Sequence, residues 1–256
     1  MIFPAQVKEQ VRAIFSDFDD TLTHDSLFNS KTLQTLEKLK QKGFWLVVVS
    51  GRPAGWADCL MRILPIDAMV FENGAGVMIK EGNRIKTIRL ASDKNLIEER
   101  QILQDLFISL QKEIPHLKLA TDQPYRLYDY AIDFIEEPPP LSAKEIEIAL
   151  HFLSAAPRIT AKLSSIHINY WYGEHTKVTA CEYLLQTEGK QRGLTKENIL
   201  YSGDSPNDEP LFEFFPHSLG VANIKLFWDK LKHHPKYITQ NEGGEGFQEF
   251  VEELLT

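Results

Sequence analysis

Apolar residues recur along this chain with two periods, and the way the periods alternate predicts its architecture. Val11–Phe15 is a short apolar run, and Leu33, Leu36, Leu39 and Lys40 follow at helical spacing. Gly43 closes that helix, and Phe44–Val49 (FWLVVV) is continuous apolar sequence, as expected of a strand buried on both faces. Pro53 opens another helix and Ala68–Phe71 another strand. The C-terminal part keeps this rhythm. Helix Val178–Thr187 precedes strand Ile199–Tyr201, helix Asp208–Phe214 precedes strand Ser218–Val221, and helix Ile224–Leu231 precedes strand Tyr237–Thr239. A last helix runs from Gly246 to Leu254. Strands alternating with helices predict an α/β fold with a doubly wound parallel sheet.

The middle breaks the rhythm. Leu96, Leu103, Leu106, Phe107 and Leu110 mark a long amphipathic helix between Lys94 and Lys112. Strand-like runs follow at Leu117–Thr121 and Tyr128–Ile135. Beyond Pro138–Pro140, Ser142 and Glu145 fit a capping box heading a helix to Leu153. Two more strand-like runs, Arg158–Leu163 and Ile166–Tyr172, complete a second helix–strand–strand unit. The repeat predicts an antiparallel sheet with helices on one face. Residues 84–173 are therefore expected to form a domain inserted into a host made of residues 1–83 and 174–256.

Charge and composition narrow the function. The chain carries 28 Lys and Arg against 36 Asp and Glu, a formal net charge of -8. The insert holds 11 basic and 12 acidic residues, so nearly all of the excess lies in the host. Such a surface repels a phosphate backbone, which argues against a nucleic-acid partner. No apolar run approaches the ~20 residues needed to span a bilayer, and MIFPAQVKEQVR has no export-signal pattern. Cys59 and Cys181 are isolated, without metal-ligand spacing, which suits a reducing cytoplasm.

Three strand ends carry the candidate chemistry. The first runs directly into acids: Ile14-Phe15-Ser16-Asp17-Phe18-Asp19-Asp20-Thr21. The second reads Val49-Ser50-Gly51-Arg52-Pro53, where a hydroxyl, an open backbone N–H and a helix start make an anion-binding turn. The third reads Tyr201-Ser202-Gly203-Asp204-Ser205-Pro206-Asn207-Asp208. In an open α/β sheet, ligands bind beyond the carboxyl ends of the strands. If the first and third strands are neighbours, Asp17, Asp19, Asp204 and Asp208 share one site. Crowded carboxylates repel one another; a hard divalent cation resolves the conflict, and an oxygen-only donor set favours Mg²⁺. Lys177, at the start of the helix after the insert, supplies a further positive charge.

The order DFDDT, SGR, Lys177 and GDSPND resembles the haloacid-dehalogenase-type phosphohydrolases, over essentially the whole chain. An insert between the second and third motifs is similar to the Cof-type (subclass IIB) branch, which sets an α/β cap on a Rossmann-like core. Phe71-Glu72-Asn73-Gly74-Ala75 resembles the signature that precedes that cap. Sucrose-phosphate and mannosyl-3-phosphoglycerate phosphatases belong to this branch, and GDSPNDEPLF is similar to the latter. Asp20 stands where many relatives have Gly, and Val178 follows the lysine where Gly is common. The alternative lysine, Lys162, falls in the insert.

The resemblance implies a Mg²⁺-dependent phosphatase of a small phosphorylated metabolite, a sugar phosphate or phosphoglycerate derivative, working as monomer or homodimer. In it Asp17 is the nucleophile and Asp19 the acid and base. The cation takes the Asp17 carboxylate, the Asp19 carbonyl and Asp204, with Asp208 bound or close by. Ser50, Gly51 and Lys177 face the phosphoryl oxygens, Arg52 and Asn73 the substrate, and Asn207 orients phosphate or loop. A phosphomutase is the enzymatic alternative and a phospho-aspartate receiver the non-enzymatic one. Alternation within the insert puts Lys162, His167 and Asn169 on a polar face able to read the rest of the substrate. His24, Asp25, His233 and His234 are expected at the surface, and Trp45 and Trp56 in packing.

Overall fold

The computed structural model describes residues 3–91, 95–164 and 166–256. Its elements, in chain order, are α1 (Ala5–Gln10), β1 (Ala13–Ser16), α2 (Ser30–Gln41), β2 (Trp45–Val49), α3 (Ala54–Ile63), β3 (Ala68–Phe71), β4 (Gly76–Glu81) and β5 (Arg84–Arg89). Next come α4 (Leu96–Glu113), β6 (Lys118–Leu119), β7 (Asp129–Asp133), α5 (Ala143–Ala155), β8 (Ile159–Leu163) and β9 (His167–Tyr172). The chain ends with α6 (Lys177–Leu184), β10 (Ile199–Gly203), α7 (Glu209–Phe214), β11 (His217–Gly220), β12 (Tyr237–Ile238) and α8 (Gly243–Leu255).

The larger sheet has the order β12-β11-β10-β1-β2-β3-β4-β5. Strands β12 to β3 are parallel and β4 and β5 antiparallel. Alternation along β1 sends Ile14 to one face and Ala13 and Phe15 to the other, and each face has its own core. Leu36, Leu39, Phe247 and Phe250 from α2 and α8 cover the first; Cys181, Leu184 and Phe212 from α6 and α7 cover the second. Helices on both faces make the sheet doubly wound, as the alternating pattern predicts.

The second sheet is antiparallel, β6-β7-β9-β8. One face, with Ile132, Ile168 and Tyr170, packs on Leu103, Phe107 and Leu110 of α4 and Leu153 of α5. Ser142 and Glu145 form the expected capping box. The opposite face, polar by sequence, is turned toward the larger sheet.

Several elements differ from the sequence pattern. Arg84–Arg89, placed in the insert, is instead the edge strand of the larger sheet, hairpinned to β4 across Gly82-Asn83. The helix expected at Ile224–Leu231 is a 3₁₀ helix, Ala222–Lys230, with Leu231 as its C-cap. The last helix starts at Gly243, where the Gly244 N–H bonds Thr23 O at 3.0 Å. The expected start of α4 at Lys94 lies outside the described residues. No helix among the described residues is long and apolar enough to cross a membrane.

Candidate active site

The register of the central strands builds the site. β1 lies between β10 and β2, with Ser16 opposite both Ser202 and Val48. The residues that follow these strands therefore emerge side by side. From β1 the chain crosses to β2 on one side, and from β10 to β11 on the other. The connections diverge and leave a crevice at this point. Asp17–Asp19, Ser50–Arg52 and Asp204–Asp208 all reach it.

Lys177 ties two of these segments together. It opens α6, where Thr176 caps the first turn, and its Nζ donates to Asp17 Oδ1 at 2.6 Å and Asp208 Oδ1 at 3.0 Å. The position depends on Gly74, whose φ is 106°; a Cβ there would stand 2.1 Å from Thr176 O. Lys177 is buried, and burial pulls its ammonium down; Asp17 and Asp208 outweigh that and hold it above its ordinary range.

Asp17, Asp204 and Asp208 are buried, and each offers a carboxylate oxygen within 4.8 Å of the others. They differ in how far they are satisfied. Asp208 Oδ1 accepts from Lys177 and, at 2.7 Å, from Tyr201 OH; Oδ2 accepts the N–H groups of Asp204 at 3.0 Å and Ser205 at 3.3 Å. Gly203 lets that carboxylate fold back, since a Cβ would lie 2.6 Å from Asp208 Cγ. With both oxygens engaged, Asp208 acts as a brace for Lys177. Asp204 accepts only long bonds, from Thr21 Oγ1 at 3.2 Å and Asn223 Nδ2 at 3.4 Å. Burial, then Asp208 and Asp17, push its carboxyl well above the usual range. Burial also pushes Asp17 up to about 8, against the pull of Lys177. Among the described residues, one ammonium, that of Lys177, reaches two of these three buried acids. The deficit of positive charge and the all-oxygen donors fit a hard divalent cation.

Asp19 faces a different partner. Arg52 Nε donates to both its oxygens at 3.0 Å and Nη2 to Oδ1 at 2.8 Å. Arg52 Nη1 lies 3.5 Å from Asp122 Oδ2 of the inserted domain, and the guanidinium sits 4.4 Å above the Trp56 ring. Trp56, expected in packing, is instead exposed and supports a site residue.

The inserted domain closes the crevice. Asp17, Asp19, Gly51, Arg52, Asn73, Asp204 and Asn207 form the core wall, and Arg126, Ile166, His167 and Asn169 face them. Ser50, Lys177 and Asp208 stand behind this wall; the Ser50 Oγ accepts the Arg52 N–H at 3.0 Å. The enclosed volume is about 30 Å³, room for a water molecule or two. Of the polar residues expected on the insert, His167 and Asn169 reach the cavity and Lys162 is exposed outside it. His167 Nε2 lies 2.7 Å from Glu136 Oε2, and Asn169 Nδ2 donates to Asp129 Oδ2 at 3.3 Å. Arg126 was not expected. Nε bonds Asp122 at 2.9 Å, Nη1 bonds Asp129 at 2.9 Å and Gly51 O at 3.0 Å, and the side chain is buried. The spacing of Asp122, Arg126 and Asp129 was the available signal. His24, Asp25, His233 and His234 are exposed, and Trp45 is buried in packing.

Comparison with known proteins agrees with this architecture. Residues 14–113 match the family of haloacid dehalogenase-like hydrolases. Phosphoglycolate phosphatase 1 of Saccharolobus solfataricus is 27% identical over 96% of each chain. A phosphoglycolate phosphatase of Methanobrevibacter smithii is 23% identical over 96% of this chain and 99% of its own. Among solved structures, a Thermoplasma acidophilum protein superposes with a TM-score of 0.74 at 17% identity, covering 96% of this chain and 99% of its own. The sucrose-phosphatase of Synechocystis, in complex with sucrose and phosphate, gives 0.69 at 20% identity, with 96% and 98% covered. Residues 14–113 thus resemble the haloacid dehalogenase-like hydrolases, and the two phosphoglycolate phosphatases are similar to this chain over nearly its whole length. The fold, a parallel α/β core with an inserted antiparallel domain, is the one those solved structures share.

Proposed function

We propose that this chain hydrolyses the phosphate ester of a small metabolite, a sugar phosphate or phosphoglycerate derivative, with Mg²⁺ as cofactor. The observation that carries this reading is the convergence of four charged groups at the end of β1, with Asp17 and Asp204 in the wall opposite a polar cap and Asp208 and Lys177 directly behind them. The phosphoglycolate phosphatase names of the relatives and the sucrose-phosphatase name of a structural neighbour support a small phosphorylated metabolite as substrate.

Asp17 attacks phosphorus in line and the ester P–O bond breaks, leaving an aspartyl phosphate. Asp19 gives its proton to the departing oxygen. It then takes a proton from water, which attacks the phosphoryl group, releases phosphate and restores the Asp17 carboxylate. The Gly51 N–H and Lys177 neutralise charge on the phosphoryl oxygens, and Asp208 holds Lys177 for that task. The Asp17 and Asp204 carboxylates, with the Asp19 carbonyl, would hold Mg²⁺, which adds positive charge beside the same oxygens. Arg52 orients Asp19 by gripping both its oxygens. Asn73, Asn207, His167 and Asn169 contact phosphate and leaving group.

Phosphate release from a panel of phosphorylated sugars, glycerates, glycolate and nucleotides, with and without Mg²⁺, tests the proposal. Mg²⁺-dependent release from a member of the first three classes is expected. No release from any ester overturns it, as does transfer of the phosphoryl group to a second sugar or a stable phospho-Asp17 without turnover.

A further inference from the structure

Glu72 directly follows β3, opening the 3₁₀ turn Glu72–Gly74, and is fully buried. It belongs to the core domain, yet most of its hydrogen bonds come from the cap. Oε1 accepts the N–H groups of Ala54 and Leu127, both at 2.9 Å. Oε2 accepts those of Leu127 at 3.1 Å, Tyr128 at 2.6 Å and Asp129 at 3.1 Å. Three consecutive cap amides thus point at one core carboxylate, forming a nest for an anion. Glu72 and Asn73 have φ of 45° and 57°, a left-handed backbone that non-glycine residues rarely adopt. The chain accepts that local cost where it turns the carboxylate toward the cap.

The same cap segment carries cavity groups. Arg126 precedes the three amides and Asp129 supplies the last of them. The Asp129 carboxylate accepts from Arg126, from Asn169 and, at 3.4 Å, from Asn73. Glu72 itself is absent from the cavity wall, so its bonds act on substrate contacts from behind.

We propose that Glu72 is a positioning residue that latches the cap to the core and sets the Asn73–Arg126 side of the substrate cavity. The cavity holds a water or two, less than the four oxygens of a phosphate ester require, so the cap parts from the core to admit substrate. In that motion Glu72 exchanges three amides for water. A carboxylate suits a reversible latch because water satisfies it well when the cap is open, while charge-assisted bonds satisfy it when the cap is closed. A buried apolar contact offers no such second state.

Hydrogen exchange at single-residue resolution tests the latch, and its readout does not depend on the phosphatase reading. In Glu72→Ala the amides of Leu127, Tyr128 and Asp129 are expected to exchange about tenfold faster or more, the loss of bonds to a charged acceptor, while those of β9 and β1 keep their rates. Glu72→Gln, which keeps one acceptor oxygen and the side-chain shape, gives a smaller rise at the same three amides. With the best ester of the panel, KM rises several-fold in Glu72→Ala while kcat stays within about twofold, since cap closure is weakened and Asp17 and Lys177 are untouched. Unchanged exchange at residues 127–129 in both variants overturns the proposal. So does exchange that rises uniformly across both domains, or a fall in kcat at constant KM.

Discussion

Replacing Lys177 with methionine removes the one ammonium that Asp17 and Asp208 share, at nearly constant side-chain length. The lysine is 6% exposed and its two bonds are 2.6 and 3.0 Å long. Breaking a buried ion pair from one side costs about 3–5 kcal/mol, because the remaining charges stay buried without a partner. For a chain of this size that corresponds to a fall in Tm of roughly 6–20 °C in cation-free buffer. Mg²⁺ then restores more stability to the variant than it adds to the wild type, since three carboxylates without an ammonium attract a cation more strongly. Saturation at about 100 times Kd returns ~2.7 kcal/mol. Activity stays low even so, by about 10²–10³, because a charge aimed at the phosphoryl oxygens is gone. Thermal unfolding of both proteins, with chelator and with a Mg²⁺ titration, measures each quantity. A cation-free Tm within 2 °C of wild type, or equal Mg²⁺ shifts in the two proteins, refutes the shared-charge account of the site.

Other perturbations separate the remaining roles. Asp17→Asn is expected to abolish phosphate release while circular dichroism and thermal unfolding report a folded protein; undiminished turnover removes Asp17 as nucleophile. Asp204→Asn takes away the least satisfied carboxylate, so the Mg²⁺-induced rise in Tm is lost and cation-free stability increases, both read by calorimetry. Burial, then Asp129, raise Glu72 to about 7 from an ordinary 4.5, against the amide bonds. The folded state therefore holds that proton more tightly, and the associated stability, full below about pH 4.5, is lost as pH rises through 7. Unfolding measured from pH 5 to 8 should show this decline, and Glu72→Gln should flatten it; an identical pH profile in the variant contradicts the assignment.

The central sheet and the carboxylate cluster were legible because one-dimensional signals mark them. FWLVVV reads as a strand buried on both faces, and each cluster acid directly follows such a run or falls within five residues of its end. The polar cap face was legible for the same reason, since alternation along β9 assigns His167 and Asn169 to one side. The β4–β5 hairpin carried the right signal, two alternating segments about Gly82-Asn83, but it adjoins the insert and was absorbed into it. What no local pattern reports is pairing across domains. Glu72 reads as one residue of a signature until Leu127–Asp129 come to rest on it, 55 to 57 positions away. Arg52 reads as a substrate contact until Asp19 and Asp122 occupy its guanidinium. Ser50 and Lys177 emerge from the expected strand and helix ends, but no local pattern reports that they stand behind the cavity wall.

The groups of the candidate site lie on both sides of the insertion. Ser16 meets Ser202 across 186 positions of chain, and Asp17 meets Lys177 across 160. As the polypeptide leaves the ribosome, residues 96–172 form one contiguous stretch able to fold as a unit. β1 meanwhile waits for β10, its missing neighbour. The sequence of the lid is thus complete before that of the hearth beneath it, and Asp17 can meet Lys177 and β10 only after residues 177–203 have been made.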